Sequence, residues 1–169
     1  EEVWAGVNEK GFAIANNVSY NINITEYDNP SSNGYVMKDA LGVCATVDEF
    51  EKYLQEMPVP RGARANFAVI DGEGGAAYFE VGDDRYVRFD VADSPGGYLY
   101  RTNFSFAGVE DKGAGYIRYA AAEKLFEEKK KTDEAVQFFS ILADRFPLSK
   151  ACWFGLGLAY NWSKEPEKA

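Results

Sequence analysis

WAGVNEKGFAIANNVSY, residues 4–20, reads as a β-hairpin. An apolar run over residues 3–7 meets the polar stretch Asn8-Glu9-Lys10-Gly11, and a second apolar run over residues 12–15 leads into Asn16 and Asn17. Gly11 supplies the positive φ that such a turn asks for, and Asn8 tolerates it better than a branched residue would. Asn16 and Asn17 have two readings. Asparagine closes turns by hydrogen-bonding the nearby backbone. Amide N–H groups at a strand end also stabilise the oxyanion of an acyl-transfer reaction.

Around the hairpin, a chain of 169 residues suits one domain with a small appendage and is long enough to bury a core. Its 46% apolar and 15% aromatic content excludes a disordered chain. No apolar run approaches the ~18 residues of a membrane span, and Glu1-Glu2-Val3-Trp4 lacks the basic and apolar regions of a signal peptide. With 18 basic and 27 acidic residues, the net charge of −9 argues against nucleic acid and anionic membrane as partners. Neither export nor the cytoplasm is selected by these totals. Cys44 and Cys152 show no CxxC or zinc-ligand spacing. Cys44, within ALGVCATV, reads as a buried small hydrophobe, and a Cys44–Cys152 disulfide stays open.

The chain has no histidine. A Ser-His-Asp or Cys-His site cannot be assembled within it, nor a histidine-ligated metal or a histidine proton shuttle. No cofactor is expected. The bases that remain are a carboxylate, a lysine or a free α-amino group, and the last, with a pKa near ~8, suits a terminal nucleophile.

Residues 21–35 read as a polar loop and 37–44 as a short helix with Ala40 and Leu41 inward. Thr46 and Glu49 make a capping box for a second helix, which carries Phe50, Tyr53 and Leu54 on one face and stops before Pro58 and Pro60. Strands follow over 65–71, 76–81 and 86–91, with Asp71-Gly72-Glu73-Gly74-Gly75 as a hairpin turn. A fourth strand over 98–102 runs into Asn103-Phe104-Ser105-Phe106. Helices are expected over 116–130 and 133–146. The order is hairpin, two helices, four-strand meander, two helices, which is an α+β class with helices layered on antiparallel sheet.

Gly6-Val7-Asn8-Glu9-Lys10-Gly11-Phe12-Ala13-Ile14-Ala15 is similar to a G-x-N-E-x-G-L-A-x-A hairpin. Asp71, Gly74 and Glu80 match D-x-x-G followed by five residues and a Glu. Thr102-Asn103-Phe104-Ser105 looks like a T-N-x-P strand end with Ser105 in the proline place, and Gly115-Tyr116-Ile117-Arg118-Tyr119 like the start of the next helix. In this order the segments resemble the amidase and acyltransferase branch of the N-terminal-nucleophile (Ntn) hydrolases. That branch holds choloylglycine hydrolases, penicillin V acylases and acyl-coenzyme A:6-aminopenicillanate acyltransferase-like proteins. The resemblance implies an αββα sandwich over residues 1–147 and hydrolysis or acyl transfer at a non-peptide or small-peptide amide. It implies an N-terminal cysteine as nucleophile, with its own α-amine as base. Asn103 takes the place of the oxyanion-hole asparagine, and Asn16 or Asn17 that of a second donor. Arg118 takes the place of an arginine that steadies the nucleophile, although a gapless alignment puts Tyr116 there instead. In relatives the nucleophilic cysteine precedes the hairpin, and no cysteine precedes Trp4 here. The expectation is a part of a longer or processed polypeptide; the alternative is a non-catalytic scaffold that keeps the sandwich. The implied partners are a small-molecule amide and either the segment that bears the nucleophile or a second copy of the chain.

Residues 148–169 form a separate expected unit. Trp153-Phe154-Gly155-Leu156-Gly157-Leu158-Ala159-Tyr160 fits W-x2-L-G-x2-Y, which resembles the first helix of a tetratricopeptide repeat. A single repeat cannot bury its own face, so this stretch reads as part of an array or as a helical tail docked on a domain.

Overall fold

The computed structural model describes residues 2–24, 33–94 and 96–129, together with Ser140. Five strands form one antiparallel sheet in sequence order: β1 (Ala5–Val7), β2 (Ala13–Val18), β3 (Ala65–Ile70), β4 (Ala76–Val81) and β5 (Tyr86–Asp90). Helices α1 (Asn33–Val43) and α2 (Val47–Glu56) lie between β2 and β3, and α3 (Ala114–Lys129) follows the sheet. Residues Glu1–Ala120 form one compact unit and Ala121–Ala169 another. The α+β class agrees with the sequence. One sheet of the expected sandwich is present among the described residues, and a second sheet is not among them. The boundary at 147, the tail over 148–169 and, apart from Ser140, the helix over 133–146 lie outside the described residues.

The hairpin closes as its residues require. Gly11 has φ +84°, and Asn8 Oδ1 accepts from the backbone N–H groups of Lys10 (3.0 Å) and Phe12 (3.1 Å). Asn8 Nδ2 donates to the carbonyls of Leu41 (3.0 Å) and Cys44 (2.7 Å), which satisfies carbonyls left open at the end of α1. One side chain thus shapes the turn and docks it on the helix.

The start of α2 is built twice over. Thr46 Oγ1 accepts from Glu49 N (3.1 Å), and Glu49 Oε2 reaches back to Ala45 N (2.5 Å). Asp71, in the β3–β4 turn, adds a long-range cap: Oδ2 accepts from Val47 N (2.8 Å), while Oδ1 accepts from Glu73 N (2.9 Å) and Gly75 N (2.8 Å). Burial pushes this carboxyl up. The N–H groups of Val47, Gly75, Glu73 and Gly74 outweigh it and hold the carboxyl below its ordinary value.

Alternation along the strands sorts the sheet into two faces. Ile14, Phe67, Val69, Phe79 and Val81 join Phe12, with Met37 and Ala40 of α1 and Val47, Phe50 and Leu54 of α2, in one buried core. Phe50 is its centre, with ring centroids 5.1 Å from Phe79 and 5.9 Å from Phe67, both edge-on, and 6.0 Å from Phe12. The opposite face carries two cross-strand rows: Asn17–Asn66–Glu80–Val87 and Ala15–Ala68–Tyr78–Phe89.

Three boundaries depart from the sequence reading. Asn16 and Asn17 lie inside β2, paired with Phe67 and Asn66, rather than in a turn beyond it. α1 begins at Asn33 instead of 37, because Asn33 is tied to Arg64 through Nδ2 to its carbonyl (3.2 Å) and Oδ1 from its N–H (3.1 Å). The strand over 98–102 does not form, and among the described residues a Thr102–Phe104 bridge is all the pairing it has. Side chains of the sheet, described next, bind the carbonyls that a ladder would have used.

Candidate functional site

The site is built where the C-terminal end of β2 meets the irregular segment 101–109. Consecutive side chains on a strand point to opposite faces, so Asn16 and Asn17 part company. Asn16 Nδ2 donates to the Met37 thioether (3.0 Å), towards α1 and the helix-covered face. Asn17 stands on the other face, where Oδ1 accepts from Asn66 Nδ2 (2.9 Å) and Nδ2 makes a long contact to the Arg101 carbonyl (3.4 Å).

Segment 101–109 is attached to that face by buried polar side chains. Asn66 Nδ2 donates to the carbonyls of Thr102 (2.9 Å) and Phe104 (3.0 Å). Asn21 Nδ2 donates to those of Ser105 (2.8 Å) and Val109 (2.9 Å), and Asn21 Oδ1 accepts from Ser105 N (2.8 Å). The Ser105 hydroxyl sits 2.7 Å from Ser19 Oγ and 2.5 Å from Asn66 Oδ1. Ser19, Asn21, Asn66 and Ser105 are all buried. Serine in the proline place of T-N-x-P therefore attaches the segment in its own way, because its N–H and hydroxyl make bonds that a proline ring has no donors for.

Glu80 and Arg101 complete the attachment. Arg101 Nε donates to Glu80 Oε1 (2.6 Å) with the side chains 3% and 0% exposed, so this is a buried ion pair. Glu80 Oε2 accepts from Ala107 N (2.7 Å), and Arg101 Nη1 donates to the Tyr100 carbonyl (2.9 Å). The guanidinium lies over the rings of Phe106 (4.5 Å), Phe89 (4.6 Å) and Tyr78 (5.5 Å).

Asn103 projects from the middle of this attached segment. Its Nδ2 donates to the Val18 carbonyl (2.8 Å), its Oδ1 accepts from Arg118 Nη2 of α3 (2.5 Å), and its own carbonyl accepts from Tyr20 N (3.2 Å). A primary amide has two N–H bonds. Val18 takes one, and among the described residues the second has no acceptor. Gly115 lets α3 approach this closely, since a Cβ there would fall on the Asn103 carbonyl. Thr102 Oγ1 fixes the same approach by donating to the Gly115 carbonyl (2.7 Å). Tyr116 packs edge-on against Phe104 (5.4 Å).

Of the four residues singled out in the sequence, Asn103, Arg118 and Asn17 gather where segment 101–109 lies on the face away from α1 and α2, and Asn16 lies on the other side of the sheet. Asn66, Asn21 and Ser19 escaped the sequence reading. Their signal was polar residues in stretches that otherwise read as buried or as loop, Asn66 in ANFAVI above all. A cleft of about 250 Å³ borders the segment, with walls that include Phe104, Phe106, Val109 and Tyr116. Cys44 is a free thiol, buried and pushed up to about 11, by burial first and then by Glu49, so it stays protonated at neutral pH. Cys152 lies outside the described residues.

No curated protein matches the chain. Among solved structures it is similar to a mutant form of the conjugated bile acid hydrolase from Clostridium perfringens, at 15% identity and a TM-score of 0.41, over 68% of this chain and 45% of that one. The chain thus spans less than half the length of that protein. Residues 3–146 match the model of the acyl-coenzyme A:6-aminopenicillanic acid acyl-transferase family, a match that takes in the hairpin, the sheet and the Asn103 segment, and the chain belongs to that family.

Proposed function

We propose that this chain forms the oxyanion-binding wall of an amidohydrolase or acyltransferase whose nucleophile is an N-terminal cysteine outside these residues. The α-amine of that cysteine takes the thiol proton, and the thiolate attacks the amide carbonyl carbon. The negative charge that develops on the carbonyl oxygen is met by N–H groups of Asn103 and Asn17. Collapse of the tetrahedral intermediate breaks the C–N bond, and the departing amine leaves with the proton. Water, or an acceptor amine, then attacks the thioester and returns the thiol.

The observation that carries this reading is the state of the Asn103 amide, held at both ends by Val18 and Arg118 with one N–H that finds no acceptor among the described residues. Asn17 is preferred to Asn16 as the second donor because it shares the face of Asn103. Arg118 acts through Asn103 as a positioning residue. The cleft lined by Phe104, Phe106 and Tyr116 suits an apolar acyl group. The amide substrate and the segment carrying the cysteine, or a second copy of the chain, are the partners this mechanism calls for.

The test uses the full-length polypeptide that carries the cysteine. Asn103→Ala should slow acyl-enzyme formation by about 10²-fold or more, read as the burst of amine released from an N-acyl p-nitroanilide. An unchanged burst rate overturns the role of Asn103. A folded polypeptide with no turnover at all supports the non-catalytic scaffold instead.

A further inference from the structure

We propose that Asn66 is a positioning residue for Asn103; the proposal rests on the oxyanion role given to Asn103 above. Asn66 is fully buried at the middle of the sheet, between Asn17 and Glu80 in register. A buried amide is unfavourable unless its donors and acceptor are satisfied. Packing alone would be met by an apolar residue, as it is at Ala68, the next position of β3 on the same face.

The partners of Asn66 explain why an amide stands there. Its Nδ2 is shared among Thr102 O (2.9 Å), Phe104 O (3.0 Å) and Asn17 Oδ1 (2.9 Å), and its Oδ1 lies 2.5 Å from the Ser105 hydroxyl. Thr102 and Phe104 flank Asn103. Drawing both carbonyls to one buried point turns the Thr102–Asn103 and Phe104–Ser105 peptide groups towards the sheet, in place of a strand ladder, while the Asn103 carbonyl between them accepts from Tyr20 N. The same side chain holds Asn17 Oδ1, so that the Asn17 N–H groups face away from it. Asn66 therefore sets the backbone of one proposed oxyanion donor and the amide orientation of the other, without touching substrate itself.

A group that acts through Asn103 should lose its effect when Asn103 is gone, whereas a merely structural residue should not. In the full-length polypeptide, with N-acyl p-nitroanilides of short, long and arylacetyl chains as probes, Asn66→Ala should lower kcat by about 10- to 100-fold, the size expected of a misplaced catalytic group. KM should stay within about 2-fold. Added to Asn103→Ala, Asn66→Ala should lower kcat by clearly less than it does alone, the remainder being the part exerted through Asn17. If Asn103→Ala slows the enzyme while Asn66→Ala leaves kcat intact, or if the two losses multiply in full, the positioning role is overturned and the oxyanion role stands. If Asn103→Ala has no effect, or the wild type releases no p-nitroaniline, the functional reading itself fails and this proposal falls with it. Should Asn66→Ala not fold, Ser105→Ala, which removes only the hydroxyl beside Asn66 Oδ1, is put through the same cycle. A loss in kcat at constant KM that shrinks in the Asn103→Ala background supports the proposal; no loss, or a fully multiplicative one, overturns it.

Discussion

A guanidinium has donors and no acceptor, so Arg118 can meet Asn103 in one amide orientation only, with Oδ1 towards the arginine and Nδ2 towards Val18. The direction of the remaining N–H follows from that choice. Arg118→Met should leave Asn103 in place but free its amide to turn, and acylation should slow by roughly 10-fold, less than for Asn103→Ala. Arg118 is exposed, so the substitution should change the unfolding free energy by no more than about 0.5 kcal/mol. Single-turnover kinetics alongside urea unfolding separates the two effects. A rate equal to that of the wild type would show that Val18 alone orients the amide.

At the scale of elements, Asp71 joins a turn to a helix. Its carboxylate closes the β3–β4 turn and caps α2 at Val47, so Asp71→Ala should destabilise the fold by about 1–2 kcal/mol at neutral pH, as for loss of an N-cap. The sign with pH follows from the carboxyl lying below its ordinary value in the folded chain. Such a group adds stability above its unfolded value of about 3.9 and loses that contribution as pH falls through the folded value. The gap in unfolding free energy between the native chain and Asp71→Ala should therefore be widest above pH ~5 and narrow as pH falls below ~4. A gap that stays constant through that range would mean that charge has no part in the cap. At the far edge of the sheet, β5 is held to α2 by Arg88, which donates to Asp48 (2.7 Å), Glu51 (2.6 Å) and Asp90 (2.8 Å). These charges also make the outer strand a poor template for further pairing.

For the whole molecule the sheet has two faces with different tasks. One buries the aromatic core against α1 and α2. Phe50→Ala removes the ring that Phe12, Phe67 and Phe79 surround, and should cost about 3–5 kcal/mol. That is a large share of the stability of a domain, and a loss below about 1 kcal/mol in chemical unfolding would contradict the packing described. The other face carries Asn17, Asn66 and Glu80, with buried polar groups holding segment 101–109 against it. The proposed chemistry belongs to this second face. The pleat of one sheet thus separates the apolar core from the groups of the proposed chemistry.

Much of this was legible in the residues because it is local. The turn at Asn8 and Gly11, the capping box from Thr46 to Glu49 and the strands around Asp71–Gly75 each depend on residues a few positions apart. The order of these elements was enough to point to the α+β class, and the motifs at residues 6–15, 71–80, 102–105 and 115–119 carried the resemblance to the family. Asn103 could be singled out because it ends a recognisable stretch. What only the tertiary structure decided is which way neighbouring groups face and what holds an irregular segment. Asn16 and Asn17 are chemically identical, and the pairing of β2 with β3 sends one to the helices and the other to the site. Residues 98–102 have strand composition, yet the Arg101 and Thr102 carbonyls are bound by Asn17 and Asn66, and no rule of local periodicity foresees that. Asn103 meets Val18 across 85 positions and Asn66 meets Phe104 across 38. Local propensity is set by neighbours along the chain. The direction of an amide is set by partners that only folding brings near.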